Sequence, residues 1–325
     1  MIDARGLSMR YGFVRALDGA TFRAEKGEVV GLLGSNGAGK TTTMRILTTY
    51  LVPSAGSATV AGFDVVNQPL EVRRRIGYLP ESLPLYLQME VRECLEFVGR
   101  ARGLRGAELK DRVRWVVEKC ALDEMYSSPV LQLSKGYRQR TALAQSLIHD
   151  PEVVILDEPT TGLDPHQIVE IRELVRELAK TKCIVLSTHI LSEANALADR
   201  LIVMSSGKIV GMGTADELRR QAGVRPKLRL RLAAAAPDAL AKIQTVPGVL
   251  NAQASGDATF DMEEGAPDLT DRIGQLARAA GWTIVELSRE PGSLEDMFLE
   301  LTRSGRGADD APSQPPAAPP AENAA

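Results

Sequence analysis

Four short apolar runs recur along the first 220 or so residues, and each is followed by a longer stretch with helical spacing. The runs read EVVGLLG, EVVILDE, CIVLSTH and RLIVMSSG. Continuous apolar runs of this length are typical of strands buried on both faces, and their alternation with helices indicates parallel strand–helix–strand units. The pattern therefore predicts an α/β fold with a mainly parallel sheet.

A second pattern begins near residue 225 with the alternating strand KLRLRL. A helix near Asp238 to Gln244, two short strands, a helix from Asp268 to Ala280, the strand WTIVEL and a last helix from Leu294 follow. The order β-α-β-β-α-β resembles a ferredoxin-like module. We expect a small α+β accessory domain over residues 225–303.

The last 22 residues, 304–325, contain no aromatic or β-branched side chain and are rich in proline and alanine. Such a segment cannot bury enough apolar area to offset its ordering entropy. The composition predicts a disordered tail.

Composition excludes several classes of protein. The net charge of -3 and a pI near 5.8 argue against a dedicated nucleic-acid binder, which usually has a basic excess. No apolar stretch approaches the roughly 20 residues of a membrane-spanning helix, and the N-terminus lacks the apolar core of a signal peptide. The three cysteines, Cys94, Cys120 and Cys183, are far apart, which favours a reducing compartment and buried thiols. We expect a soluble protein.

The first chemical motif is GSNGAGKT, which lies between a strand and a helical pattern and fits the phosphate-binding P-loop. Its glycines let backbone N–H groups converge on phosphate oxygens at a helix N-terminus. Lys40 is placed to reach the β and γ phosphates of ATP, and the Thr41 hydroxyl to hold Mg²⁺. The residues expected to bind the nucleotide here are Gly34, Ser35, Asn36, Gly37, Ala38, Gly39, Lys40, Thr41 and Thr42.

The second motif, VVILDEPTTGLDP, places Asp157 and Glu158 at the C-terminal end of a buried strand. Ligands of open α/β sheets bind at this edge. Asp157 is expected to support Mg²⁺, and Glu158 to orient the water that attacks the γ-phosphate.

The third motif is LSTH, which ends in His189 after a buried strand. An imidazole there could donate to the γ-phosphate, although a structural histidine at a strand end fits the sequence equally well. His149 and His166 lie in loop-like contexts and are expected to be structural.

Residues 131–140, LQLSKGYRQR, allow two interpretations. A basic run with an aromatic inside it can pair phosphates and stack a nucleic-acid base. The same run could complete a nucleotide site that closes when two subunits meet.

Taken in order, GSNGAGKT, LSKGYRQR, LDEPTTGLD and STH resemble the ATP-binding subunit of an ABC transporter. The resemblance covers residues 1–222 and implies an ABC-type P-loop ATPase domain. That domain has a mainly parallel core sheet, antiparallel N-terminal strands and a helical subdomain over about residues 82–145. The resemblance also favours a composite ATP site as the role of LSKGYRQR. It implies that nucleic acid is not a partner of this chain.

Further roles are implied by this resemblance alone. Ser134 and the backbone of Gly136 would contact the γ-phosphate held by the opposite subunit, although Lys135 and Tyr137 depart from the family pattern. Tyr11 would stack on adenine, and Asp164 would link the two ATP sites. Glu81 stands where the family has a metal-reading glutamine, so its expected role as a metal ligand is a departure from the pattern.

The finer resemblance is to exporters whose permease is a separate polypeptide. The blocks LPESLPLY, LSKGYRQR, LDPHQIVEIREL and GSLEDMFLELT look most like the gliding-motility-associated branch. The implied partners are an integral-membrane permease and a second ATP-binding subunit, in a homodimer or heterodimer at the cytoplasmic face of the membrane. A soluble ABC protein acting on ribosomes or nucleic acid is the alternative. Arginines in the region 82–120 could face a permease loop or anionic lipid, or form an ordinary solvated helix face.

Overall fold

The structure is a computed structural model that describes residues 1–305. The predicted disordered tail therefore lies almost entirely outside the described residues. Within them, no helix combines the length and the apolar character that crossing a bilayer requires.

An antiparallel sheet forms the N-terminal edge of the fold, with strand order β2-β1-β4-β5. Its strands are β1 (Ile2–Tyr11), β2 (Val14–Ala24), β4 (Ala55–Val60) and β5 (Phe63–Asp64). Leu7, Leu17 and Phe22 point from this sheet into one core cluster and are almost completely buried. The cluster joins this sheet to the central sheet behind it.

The central sheet has six strands in the order β10-β9-β3-β8-β7-β6. They are β3 (Val29–Leu33), β6 (Ile76–Leu79), β7 (Val153–Asp157), β8 (Cys183–Thr188), β9 (Arg200–Ser205) and β10 (Lys208–Gly213). All neighbours pair in parallel except β9 and β10. Every residue of β3, β7 and β8 is buried, as the continuous apolar runs predict. The α/β fold with a mainly parallel core sheet is confirmed.

Helices cover the central sheet, and three of them also pack against one another. The helices up to β10 are α1 (Lys40–Leu47), α2 (Pro69–Arg75), α3 (Val91–Ala101), α4 (Gly106–Lys119), α5 (Lys135–Leu147), α6 (Pro165–Ala179) and α7 (Leu191–Leu197). Helices α3, α4 and α5 share one core cluster. Reciprocal side-chain and backbone hydrogen bonds cap α3 at Glu90 and Glu93, and α6 at Asp164 and Gln167.

A four-stranded antiparallel sheet follows α8 (Ala215–Gln221), with strand order β12-β13-β11-β14. Its elements are β11 (Lys227–Leu232), α9 (Ala239–Gln244), β12 (Val249–Gly256), β13 (Thr259–Glu264), α10 (Leu269–Ala279) and β14 (Ile284–Glu290). They have a core cluster of their own that includes Leu230, Ile243 and Ile273. Whether this segment is an independent domain stays a prediction.

The last helix, α11 (Leu294–Gly305), packs against the ATPase part of the chain and not against the accessory sheet's core. Met297 and Leu301 are buried beside Leu33 at the end of β3 and Leu218 of α8. The sequence pattern predicts this helix as part of the accessory domain at residues 225–303, because an apolar helix face does not reveal which neighbour covers it. By its contacts, α11 belongs with the ATPase core.

The three cysteines are buried, as expected. Burial raises the pKa of the Cys120 and Cys183 thiols to about 12. These thiols are therefore protonated at neutral pH and have the character of small hydrophobic side chains.

Candidate nucleotide-binding site

The glycine-rich loop from Gly34 to Gly39 connects β3 to α1 in a shape that side chains would obstruct. A Cβ atom at Gly34 would lie 2.6 Å from the Met204 carbonyl oxygen, and one at Gly39 would lie 2.8 Å from the Ala16 carbonyl oxygen. Gly39 also has a φ of 105°, which favours glycine. No side chain caps the N-terminus of α1, so its first N–H groups remain directed at the cavity in front of the loop.

Lys40 is buried at the start of α1, and its ammonium group is held over the loop. The ammonium donates to the Gly34 carbonyl at 2.7 Å and to the Ser35 carbonyl at 3.4 Å, and it lies 3.7 Å from Glu158 Oε1. These contacts place a positive charge where the loop would receive phosphates.

Asp157 ends β7 with its carboxylate almost completely buried. Asp157 Oδ1 accepts a hydrogen bond from Ser187 Oγ at 2.6 Å and one from Thr41 Oγ1 at 3.4 Å. A hydroxyl and a carboxylate, supplemented by phosphate oxygens and water, are ligands that suit Mg²⁺. Among the described residues, no group of three or more His, Cys, Asp or Glu side chains could hold a metal.

Glu158 follows Asp157 and has three side-chain neighbours. Its carboxylate lies 2.9 Å from His189 Nδ1, 3.3 Å from the Thr161 hydroxyl and 3.7 Å from the Lys40 ammonium. Its backbone N–H donates to Ser187 Oγ at 3.0 Å, so one serine contacts both neighbouring acidic residues. The structure thus brings Lys40, Glu158 and His189 together, as the sequence-predicted site requires.

A cavity of about 460 Å³ opens in front of these residues. Its lining includes Ser35 to Thr42, Glu81, Glu158 and His189, and also Thr161 and the β2 segment Val14–Ala16, which sequence reasoning missed. Tyr11 is half-exposed at the end of β1. The turn that follows it connects to Val14, the first residue of β2 that lines the cavity. No sequence pattern marks Val14–Ala16, because a strand that borders a cavity has the same alternation as any other strand.

Three further predicted site residues lie away from this cavity. Ser134, Gly136 and Asp164 do not line this cavity, as far as the described part of the chain shows. Ser134 caps α5 by accepting the Tyr137 N–H at 3.4 Å, and a Cβ atom at Gly136 would collide with the Gln167 amide. Asp164 caps α6 through its bond from the Gln167 N–H at 3.0 Å. The start of α5 therefore packs on the start of α6 in the same chain.

The other two histidines are outside the cavity. His149 Nε2 lies 2.9 Å from the Ile76 carbonyl oxygen, in agreement with a structural role. The loop-like context inferred for His166 is wrong, because this residue lies in the first turn of α6. The proline at the preceding position favours a helix start, a signal that the sequence did contain.

A phosphate loop on the central β3 strand and an acidic pair on β7, two strands away beyond β8, together define a P-loop ATPase of the α/β class. The family model described as "ABC transporter" matches residues 17–161. The chain is similar to the daunorubicin resistance ATP-binding protein DrrA3 of Streptomyces coeruleorubidus, with 38% identity over 94% of this chain and 96% of the relative. It is also 34% identical to the Nod factor export ATP-binding protein I of Ralstonia nicotianae, over 93% of this chain and 94% of the relative.

A solved structure described as the ATP-binding subunit of an ABC transporter superposes with a TM-score of 0.64. It is 33% identical and covers 69% of this chain and 93% of its own. The chain belongs to the ATP-binding subunits of ABC transporters, and it is an ATP-binding ATPase. Such subunits dimerise and act with membrane permeases.

Proposed function

We propose that this chain powers the export of a compound through a separate integral-membrane permease, from the cytoplasmic face of the membrane. The observation that carries the proposal is an apolar surface exposed beside the ATP cavity. The names of two relatives that match nearly the full length, a drug-resistance protein and a Nod factor exporter, support the direction of transport. Membership of the gliding-motility-associated branch stays a prediction.

The apolar surface consists of Tyr86, Leu87, Phe97 and Leu131, whose exposed fractions run from 43% to 58%. The rings of Tyr86 and Phe97 meet edge to face at 5.5 Å, and the Leu131 N–H donates to the Leu87 carbonyl at 2.8 Å. Contiguous exposed side chains of this kind mark protein interfaces. Tyr86 and Leu87 follow Glu81, which lines the cavity, within one short segment. A permease seated on this surface would therefore lie close to the ATP-binding cavity.

The arginines of the same region have partners within the chain and add no support for the docking surface. Arg92 pairs with Glu90, Arg100 with Glu96 and Arg114 with Asp111, all on exposed surface. Arg112 donates to the Leu147 and Ile148 carbonyls. Because these arginines already have partners within the chain, an ordinary solvated helix face is favoured over a lipid-binding patch.

The geometry around Glu158 supports the following residue roles within one chain. Glu158 orients and deprotonates the attacking water, and His189 donates to the γ-phosphate while it holds the Glu158 carboxylate. Thr41 and Asp157 would hold Mg²⁺, which supplies charge neutralisation at the phosphates. Glu81 is exposed at the rim of the cavity and is a third candidate ligand of Mg²⁺. Tyr11 stacks on adenine.

Each ATP site is completed by a second subunit, in either a homodimer or a heterodimer. Ser134 and Gly136 at the N-terminus of α5 contact the γ-phosphate bound by the opposite chain, and Asp164 links the two sites. The placement of these residues outside their own chain's cavity supports this assignment. ATP closes the dimer, hydrolysis reopens it, and the motion reaches the permease through the region around residues 82–120.

The catalytic assignment is tested by Glu158→Gln. The amide keeps the shape of the side chain and cannot accept the proton, so turnover should fall by roughly two or more orders of magnitude. ATP binding should persist, and size-exclusion chromatography with ATP should show a trapped dimer. Near-normal turnover in this variant would refute the role of Glu158.

The docking surface is tested by Leu131→Asp, with Leu250→Asp as the control. The two leucines have similar exposed fractions, 58% and 52%, but Leu250 lies on β12 of the accessory sheet. Each variant is co-expressed with a candidate multi-span permease, and co-purification and ATPase activity in proteoliposomes are measured. We expect Leu131→Asp alone to lose co-purification while the isolated chain keeps its basal activity. Equal co-purification of both variants would rule out this surface as the permease contact.

A further inference from the structure

The two residues that follow Glu158 are held separately by different helices. Pro159 and Thr160 are both buried, and neither lines the ATP cavity. Gln139 of α5 holds one of them and Glu193 of α7 holds the other. Both contacts involve buried polar side chains, which are uncommon unless they are paired.

Glu193 is a carboxylate with only 5% exposure, in the first turn of α7. It accepts a short hydrogen bond from the Thr160 hydroxyl, whose residue is 3% exposed. Burial of a carboxylate is unfavourable unless a hydrogen bond compensates for lost water. A second contact, between His189 and Glu158, joins the same two segments, and there the acidic side chain belongs to the other segment.

Gln139 is 5% exposed on α5, and its amide Nε2 donates to the Pro159 carbonyl at 3.0 Å. No backbone N–H of the described residues donates to this carbonyl, so the Gln139 amide is what fixes the peptide between Pro159 and Thr160. Glu158 itself has a φ of 51°, a left-handed conformation that a non-glycine residue adopts only when its surroundings enforce it.

We propose that Gln139 and Glu193 are positioning residues for the catalytic carboxylate. They clamp Pro159 and Thr160 so that Glu158 keeps its left-handed backbone and directs its carboxylate towards the cavity. The inference rests on the proposed role of Glu158.

The clamp also connects the two ATP sites of a dimer. In the proposed dimer the N-terminus of α5 would face the partner's nucleotide, and Gln139 lies on the next turn of the same helix. A shift of α5 on dimer closure therefore moves the Pro159 peptide in the same chain. Closure at one site would in this way set the carboxylate at the other.

The test measures kcat and KM for ATP in Gln139→Leu, Glu193→Ala and Thr160→Val. Displacement of a catalytic group by about 1 Å lowers rates by up to about 100-fold, so we expect kcat to fall about 10- to 100-fold in each variant. KM and the Kd for ATP should stay within about twofold, because the P-loop is untouched. Glu193→Gln keeps an acceptor oxygen for Thr160 and should restore most of the rate.

Gln145→Leu is the matched control. Gln145 lies on the same helix with 8% exposure, and its Nε2 has no hydrogen-bond partner among the described residues. The same chemical change should leave kcat near the wild-type value. A comparable loss in Gln145→Leu would mean that α5 merely tolerates leucine poorly, and the inference would fail.

Single-turnover hydrolysis in the Glu158→Gln background separates positioning from general damage. Residues that act through Glu158 should lower the residual rate no further once the carboxylate is gone. A further loss by the same factor, or wild-type kcat in Gln139→Leu and Thr160→Val, would overturn the inference and leave the role of Glu158 intact. Near-normal turnover in Glu158→Gln alone would instead refute the proposed role itself.

Discussion

At the scale of single residues, the site is built from contacts between residues far apart in the chain. Ser187 bonds to the Asp157 carboxylate and to the Glu158 N–H, although about 30 residues separate them. One hydroxyl therefore fixes both acidic groups relative to each other. This arrangement stabilises the unusual backbone of Glu158, since its N–H has a partner only in that conformation of the loop.

His149 gives a prediction about acid stability. Burial, followed by the nearby charge of Arg102, lowers the pKa of this imidazole to about 4, from the ordinary value of 6.5. The folded state then binds fewer protons than the unfolded state between these values, so the contribution of neutral His149 is lost as pH falls from about 6.5 towards 4. His149→Gln can still donate to the Ile76 carbonyl but does not titrate.

We expect the Tm of His149→Gln to fall less steeply than that of the wild type between pH 7 and pH 4.5. Thermal unfolding in matched buffers measures the difference, and above pH 7 the two slopes should coincide. Parallel curves over the whole range would show that His149 is not a source of acid sensitivity.

The sequence was sufficient for residues whose roles are local. The P-loop and the Asp157–Glu158 pair are contiguous motifs, and their position after buried strands follows from apolar runs alone. Ser187, Gln139 and Glu193 carry no such signal, because each becomes meaningful only through a contact 20 or more residues away.

At the scale of elements, the basic run LSKGYRQR is explained by contacts within its own chain. Arg138 donates to the Val130 and Leu131 carbonyls, and Arg140 pairs with Glu170. Tyr137 packs against the core of the helical region, and the Arg140 guanidinium lies over its ring at 5.6 Å. These partners leave little of the run for a nucleic acid, so its charges serve mainly to hold α5 in place.

Ser134→Arg tests whether the N-terminus of α5 acts across the dimer. The P-loop is complete within one chain, so each monomer should bind ATP normally, while the bulky side chain should prevent closure and abolish hydrolysis. Nucleotide binding is measured by fluorescence titration and hydrolysis by phosphate release. Loss of ATP binding in the monomer would mean that Ser134 belongs to its own chain's pocket.

A mixture of Ser134→Arg with Lys40→Ala provides the complementary measurement. A mixed dimer contains one site built from two intact halves, so activity should reappear once mixed dimers are verified. Each variant alone, at the same total concentration, is the control.

At the scale of the whole molecule, the segment between α8 and α11 leaves and rejoins the ATPase core at neighbouring points. Arg219 of α8 donates to the Gly292 carbonyl at 2.9 Å, and a Cβ atom at Gly292 would collide with Val224. Helix α11 then returns Met297 and Leu301 to a core cluster that contains Leu33. Along the chain, the accessory sheet therefore lies between α8 and α11, which both contact the ATPase core.

Two deletions should therefore differ in their effect on thermal stability. Replacing residues 226–291 by a short Gly-Ser linker keeps α11 and should preserve ATP binding and most of the Tm. Truncation after Val224 removes α11 as well, and loss of each large buried side chain costs roughly 2–5 kcal/mol. We expect the truncated chain to melt much lower or to aggregate, as judged by calorimetry and light scattering. Equal stability of the two proteins would show that α11 contributes little to the core.

The adjacency of Val224 and Gly292 has a consequence for how genes of this kind can change. A stretch of DNA encoding the intervening residues could be gained, lost or exchanged without moving either flanking helix. The reading frame would change in length by about 65 codons while the catalytic part kept its architecture. Closely related ATPases could then carry different modules, or none, at this one point, and chain length would be a poor guide to kinship among them.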